Sequence, residues 1–279
     1  MRQCFNGDQG LVTATRIEKN ANMPIRRKDL TAHRRKTRTE VLLVLGVSFG
    51  YSAVYAAVDL IGKLSANKAL SSQTSTLNPS QASGRPWLDL GFQLVGIFFG
   101  AVPAFLALHL IKQNGRPDPM GFRTRRVGFD VRWGVGLAAA IGIPGLALYL
   151  ASRAIGINTT VIPEALPLVW WTVPVLLLSA VQNALVEEVV VVGYLMNRLR
   201  EMAWHVPMVV AASALLRGCY HLYQGFGGFI GNTVMGTLFA LFFVRFKRVG
   251  PLIIAHAILD STAFIGYAFL RGRLASLGL

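Results

Sequence analysis

Six ionisable side chains lie inside apolar stretches in the second half of the chain: Glu187, Glu188, Arg217, His221, His256 and Asp260. A charged group within a membrane span is costly, so each of them marks a candidate functional position that requires a partner. A carboxylate beside imidazoles in a dry site can take a proton from an attacking water molecule. The chemistry that this set favours is therefore hydrolysis.

Spacing along the sequence supports a single site. Three predicted helices each carry a polar pair four residues apart, which places both members on the same helix face. At about 1.5 Å per residue, Glu187, His221 and His256 all lie roughly 12 to 21 Å from the predicted cytoplasmic helix ends. We therefore expect the three helices to present their polar faces to one layer. The pairs are Asn183 with Glu187, Arg217 with His221, and His256 with Asp260.

The same residues leave the cofactor undecided. Glu187, His221 and His256 are a ligand set that can hold a divalent metal, usually zinc, with an open position for water. A carboxylate that acts without metal gives the same hydrolytic outcome. A polar network that only joins helices is the structural alternative, because such contacts stabilise helix bundles modestly.

Composition identifies the surroundings of these residues as a membrane. Of the 279 residues, 53% are hydrophobic and 15% are charged, whereas soluble domains carry about 25% charged residues. Apolar runs of roughly 18 residues or more are long enough, as helices, to cross a bilayer. The alternation typical of membrane β-barrels is missing from the sequence. We predict an all-α, polytopic transmembrane helix bundle with an intramembrane polar cavity.

The apolar runs predict seven spans, with an eighth, half-buried segment as an alternative. We divide the chain into a disordered basic tail (1–40), a three-helix membrane region (41–167) and a catalytic helix bundle (168–271). The predicted spans are Val41 to Ile61, Leu88 to Ile111, Trp133 to Ala154, Leu168 to Leu199, Val206 to Tyr223, Phe226 to Phe246 and Pro251 to Leu270.

Basic residues predict the orientation of the chain. The net charge of +15 is compatible with nucleic-acid binding, but most of the basic residues fall on one side of the predicted spans. This asymmetry is typical of membrane topology. We expect a multi-pass protein of the plasma membrane with a cytoplasmic N-terminus. Its partners would be the lipid bilayer and a membrane-associated peptide or protein substrate, with no nucleic acid.

The order of the motifs resembles a known family. Glu187-Glu188-Val-Val-Val-Val-Gly193-Tyr194-Leu195 is followed by His221 at the end of the next span and then by His256-Ala-Ile-Leu-Asp260. These motifs resemble the CAAX protease and bacteriocin-processing family of intramembrane endopeptidases, also described as type II CAAX prenyl endopeptidase-like or Abi domain proteins. The resemblance extends over about residues 168–270.

The resemblance implies a helical bundle with a conical cavity and a proteolytic activity. It implies that Glu187 and His221 activate water, that His256 and Asp260 support the oxyanion or the geometry, and that Glu188 supports Glu187. Eukaryotic members remove the last three residues of prenylated proteins, and the family is often described as metalloproteases. A catalytically silent scaffold or immunity factor, and a proton-coupled carrier, are the alternative functions.

Two positions depart from the usual pattern of the family. Val192 stands where an arginine is usual, and Arg217 stands where a phenylalanine is usual. An arginine at position 192 would lie one helical turn from Glu188 and would compensate its charge. Arg217 is the one Lys or Arg in the interior of a predicted span; the others within these spans lie next to a span end. We therefore expect Arg217 to be the charge-compensating residue. Asp260, in place of the commoner asparagine, is a milder departure.

Overall fold

A computed structural model describes residues 27–112, 118–122 and 126–276. Most of the tail predicted to be disordered, residues 1–26, lies outside this range. Residues 27–40, also expected to be disordered, are instead the first part of helix α1 (Arg27–Gly46). The helix forms because arginine, lysine and leucine have high helix propensity even where a sequence is too polar to form a core.

Helices dominate the described residues, and the prediction of an all-α bundle is confirmed. After α1, the helices are α2 (Phe49–Ser65), α3 (Pro86–Gly100), α4 (Val102–Lys112), α5 (Val127–Ala154), α6 (Thr172–Glu187), α7 (Leu195–Glu201), α8 (Val206–Tyr220), α9 (Phe226–Phe246) and α10 (Gly250–Ser276). A 3₁₀ turn at Leu222–Gln224 joins α8 to α9.

Among the residues that the structure describes, five helical stretches are long and apolar enough to cross a membrane, and a sixth results if α1 and α2, bent by 51°, form one span. The span predicted at Val206 to Tyr223 is shorter in the structure, because α8 ends at Tyr220 after 15 residues. A helix of that length covers only about 22 Å of a hydrocarbon core of about 30 Å. The five stretches are Pro86–Lys112, Val127–Ala154, Thr172–Glu201, Phe226–Phe246 and Gly250–Arg271.

The overlong span predicted at Leu168 to Leu199 contains a change of helix type. Between α6 and α7, residues Glu188–Tyr194 form a π-helical segment, and all seven of them are buried. Such wide turns are uncommon and often occur at functional sites. Here the π-helical segment begins at the second of the two adjacent glutamates.

Two short strands join loops that are far apart in the sequence. Strand β1 (Thr74–Thr76) pairs in parallel with β2 (Thr160–Ile162), with Thr74 opposite Thr160. The sequence analysis did not predict them. The pairing connects the loop after α2 to the loop after α5 and holds both against one end of the bundle.

An ion pair near the start of α5 fixes another connection. Arg248, between α9 and α10, donates hydrogen bonds to the Asp130 carboxylate at 2.8 and 2.7 Å. These hydrogen bonds raise the pKa of the Arg248 guanidinium above its usual value. The start of α5 is thereby tied to the turn that precedes α10.

One core serves the regions that we predicted separately. Described residues from Val41 onward belong to one compact unit. Val41, Ala104 and Ala138 of the predicted three-helix region belong to the same buried cluster as Val189 and Val192 of the π-helical segment. Thr172–Glu201 is the central element: 56% of the residues in its most apolar stretch are buried, against 11% in α5.

Candidate active site

The two adjacent glutamates have different surroundings. Glu187 is the last residue of α6, and Glu188 is the first of the π-helical segment. The side chain of Glu187 is 13% exposed and that of Glu188 is fully buried. Because consecutive helical residues point in different directions, only Glu187 lines the cavity described below.

Glu188 is held by two donors on other helices. Its Oε1 atom accepts a hydrogen bond from Arg217 Nη2 on α8 and another, at 2.8 Å, from His256 Nδ1 on α10. A buried carboxylate needs both charge and hydrogen-bond partners to offset the loss of hydration. Glu188 thus joins three helices at one point.

Arg217 is fully buried between both carboxylates and an aromatic ring. Its guanidinium forms the ion pair with Glu188, and its Nη1 lies 3.5 Å from Glu187 Oε2. The guanidinium carbon lies 5.4 Å from the centre of the Phe239 ring. Gly236 leaves room for the side chain, because a Cβ there would lie 3.1 Å from Arg217 Cδ. Arg217 therefore lies where the charge-compensation hypothesis requires it.

Glu187 has its polar contacts on one oxygen. Tyr220 Oη donates a hydrogen bond of 2.7 Å to Glu187 Oε2. The same oxygen lies 3.5 Å from Arg217 Nη1 and 4.0 Å from His256 Nε2. These groups fix Oε2 of the Glu187 carboxylate, while Glu187 also borders the cavity.

The two histidines are oriented by contacts on their Nδ1 atoms. His221 Nδ1 lies 3.0 Å from the carbonyl oxygen of Arg217, and since a carbonyl only accepts, Nδ1 carries the hydrogen. His256 Nδ1 donates to Glu188, and its Nε2 lies 3.6 Å from Asp260 Oδ1. Asn183 Nδ2 is 3.4 Å from Asp260 Oδ2. The three polar pairs expected from the sequence thus converge.

A cavity of about 930 Å³ joins these groups. Helices α2, α5, α6, α8, α9 and α10 all contribute to its wall. One part of the wall is polar, and another is made of aromatic and small residues such as Phe49, Tyr55 and Gly231. The polar residues of the candidate site in the wall are Asn183, Glu187, Tyr220, His221, His256 and Asp260.

Residues 169–262 match the sequence model of a family described as type II CAAX prenyl endopeptidase Rce1-like. We call these residues the Rce1-like region. The resemblance inferred from the glutamate and histidine motifs is thereby confirmed for residues 169–262, and the family that they resemble is one of endopeptidases. Helices α1 to α5 lie outside the match. No curated protein and no solved structure matches the chain.

The described side chains in the Rce1-like region do not fit a divalent metal well. Glu187, Glu188 and His256 offer ligand atoms within 4.8 Å of one another; His221, which we expected as a ligand, is not in that group. Arg217 contacts both of these glutamates. A second cation, at the roughly 2 Å distances that zinc requires, would be repelled by this guanidinium and would compete with it for the same oxygens.

Sequence reasoning missed one residue that touches the site. Tyr220 directly precedes His221 and is 5% exposed, yet the sequence analysis assigned it no role, because a tyrosine at the end of an apolar helix is unremarkable. Its hydrogen bond to Glu187 joins residues 33 positions apart. Only the tertiary structure, which brings the ends of α8 and α6 together, reveals this hydrogen bond.

Proposed function

We propose that this protein is an intramembrane endopeptidase that hydrolyses a peptide bond of a membrane-associated substrate, with Glu187 as the general base. One observation carries the proposal: Glu187, His221 and His256 border a single cavity of about 930 Å³, inside the region that matches a protease family. The size of the cavity is that of sites which enclose small molecules or short peptide segments.

The Glu187 carboxylate would take a proton from a water molecule as the water oxygen attacks the substrate carbonyl. His221, whose Nδ1 carries a hydrogen, presents an unprotonated Nε2 that can accept a hydrogen bond from the same water. The proton taken up by Glu187 then passes to the nitrogen of the leaving amine as the carbon–nitrogen bond breaks. The products are a carboxylic acid, which keeps the second hydrogen of the water until it ionises in solution, and an amine, so the atoms balance.

His256 and Asp260 would support the oxyanion or the geometry of the site. His256 donates to Glu188 through Nδ1, which leaves Nε2 near Glu187 and Asp260 at 4.0 and 3.6 Å. A protonated Nε2 would stabilise negative charge that develops on the substrate oxygen. Asp260 is the nearby carboxylate that would favour this proton.

Arg217 and Glu188 would supply charge balance in place of the usual arginine at position 192. Val192 is fully buried and carries no charge, and Arg217 makes the ion pair with Glu188 from the neighbouring helix. This arrangement also favours a reaction without metal, because the positive charge beside the two glutamates is already provided by the protein.

The surroundings favour a substrate that arrives from the membrane. The cavity is walled partly by Phe49, Tyr51 and Tyr55 of α2, and α2 exposes large apolar side chains on its other faces. We place the protein in the plasma membrane with a cytoplasmic N-terminus, as its basic residues favour. The bilayer and a membrane-associated peptide or protein are its proposed partners.

Cleavage of a quenched peptide library by detergent-purified protein tests the proposal. The library contains soluble and lipidated peptides, and the comparison includes Glu187→Ala, His221→Ala and the control His205→Ala, since His205 is exposed and far along α8 from His221. We expect cleavage by the wild type and by His205→Ala alone. No cleavage by folded wild type would contradict the proposal and favour a silent scaffold.

Treatment with a chelator distinguishes hydrolysis that requires a metal from hydrolysis by the Glu187 carboxylate without metal. We expect cleavage to persist after treatment with excess chelator and removal of metal by gel filtration. Loss of cleavage that zinc restores would show that a metal is required, and would contradict the role proposed for Arg217.

A further inference from the structure

Tyr220 holds the proposed base by one oxygen. Its hydroxyl donates to Glu187 Oε2 at 2.7 Å, and Arg217 Nη1 lies 3.5 Å from that same atom. The terminal torsion of a glutamate side chain is broad and is not fixed by the rotamer alone. A hydrogen bond from a buried hydroxyl therefore selects the carboxylate orientation, and the other oxygen is left as the one that can receive a proton from water.

The Tyr220 ring is held in turn by a residue outside the Rce1-like region. Phe49, the first residue of α2, packs against Tyr220 with ring centres 4.6 Å apart and an interplanar angle of 33°. Aromatic pairs at this separation attract each other beyond the area that they bury. On its other side Tyr220 faces the His221 ring at 4.7 Å. Through Phe49, helix α2 thus contacts the residue that donates a hydrogen bond to Glu187.

We infer that Tyr220 is a positioning residue for Glu187 and that Phe49 keeps Tyr220 in place. This inference rests on the proposed function, since it assigns Tyr220 to the same reaction. It also gives α2, which the family match does not reach, a role in catalysis. Tyr220 acts through Glu187: its hydroxyl is already engaged with that carboxylate.

Replacement of Tyr220 by phenylalanine tests the inference with little disturbance of packing. The ring contacts to Phe49 and His221 are retained and only the hydroxyl is lost. We expect kcat for a cleaved peptide to fall by about tenfold to a hundredfold, because a hydrogen bond to a charged group is removed. KM should stay within about twofold, since Tyr220 is not proposed to bind substrate.

Tyr267→Phe is the matched control. Tyr267 lies on α10, is partly buried and does not line the cavity. The substitution is chemically identical, so a general effect of removing a tyrosine hydroxyl from the protein would appear in both variants. We expect kcat of Tyr267→Phe to stay within about twofold of the wild type.

A double-mutant comparison tests the role of Phe49. Phe49→Leu should lower kcat in the wild-type background and have little further effect in the Tyr220→Phe background, because the two residues act on one oxygen. Equal effects in both backgrounds would overturn the role of Phe49. Unchanged kcat in Tyr220→Phe, with an active wild type, would overturn the inference alone. A wild type that cleaves nothing would overturn the proposed function, and this inference with it.

Discussion

Two pairs of opposite charges, one in the first part of the chain and one in the Rce1-like region, share their chemistry but differ in their surroundings. Lys63 and Asp59 are neighbours on α2, 2.7 Å apart, with side chains 15% and 33% exposed. Arg217 and Glu188 lie on different elements, and both are fully buried. The side chains of the first pair are partly exposed at the wall of the cavity, so the loss of one partner costs less there than within the fully buried second pair.

The difference shows what each region does. Lys63 also donates to Ser75 Oγ and to the carbonyl of Tyr223, both at 2.8 Å, so the outer pair fastens loops at the end of the bundle. The inner pair keeps a charged carboxylate beside the proposed base in a site removed from water. Charge in the first region secures the connections between loops, and charge in the second belongs to the proposed active site.

The largest effect is expected when the inner pair is broken. Arg217→Phe should lower the free energy of unfolding by about 3 to 5 kcal/mol, because it leaves Glu188 buried with its compensating charge removed. Denaturant titration in detergent micelles measures this loss. Addition of Val192→Arg should recover part of it by placing the usual arginine one turn from Glu188.

The double variant distinguishes compensation from packing. A Val192→Arg, Arg217→Phe protein that is no more stable than Arg217→Phe alone would contradict the exchange of arginine positions. Val192→Arg alone is the control. We expect it to destabilise the protein, because it buries a second cation beside Arg217.

A smaller effect is expected from close packing around the site. In Gly218→Ala, the new Cβ would lie 2.1 Å from Thr233 Oγ1 and 2.9 Å from the Phe229 ring, so α8 and α9 must separate. We expect a loss of about 1 to 3 kcal/mol in unfolding free energy. Gly136→Ala on α5, where no atom lies within 4 Å, is the control and should cause no loss. Equal losses in both variants would contradict the contrast between the regions.

The smallest effect is expected at the outer pair. Lys63→Met should change the unfolding free energy by no more than about 1 kcal/mol, because a partly exposed ion pair contributes little. Thermal unfolding of Lys63→Met and Arg217→Phe under the same conditions measures the two losses of stability on one scale. A loss as large as that of Arg217→Phe would show that the outer pair is as important to the fold as the inner one.

The sequence predicted the convergence of the site because helical geometry is local. Spacings of four residues predicted that Asn183 and Glu187 share one helix face, and that His256 and Asp260 share another. The distance of each pair from its helix end then predicted that the pairs lie at a similar depth in the membrane. This argument depends only on helical rise and periodicity, which vary little between proteins. Arg217 was identified differently, from the resemblance to the family: the usual arginine is missing at position 192, and Arg217 was the candidate to replace it.

The features that were missed depend on tertiary packing. Strands β1 and β2 have three residues each and pair across loops, so they are too short to show the alternation of apolar and polar residues that predicts a strand. The end of α8 at Tyr220 and the π-helical segment Glu188–Tyr194 both fall inside apolar runs that continue past them, so hydropathy does not mark either. The contact of Tyr220 with Glu187 and the grouping of Glu187, Glu188 and His256 are visible only in the structure, because spacing does not set side-chain directions at a helix junction.

The central claim is that the Glu187 carboxylate activates water, and Glu187→Gln tests it most directly. Glutamine preserves the shape of the side chain and the contact with Tyr220 but cannot accept the proton. On one peptide that the wild type cleaves, at equal folded amounts, the account predicts that kcat falls by about a hundredfold to ten-thousandfold while KM changes little. Glu187→Gln protein that cleaves this peptide at the wild-type rate would contradict it.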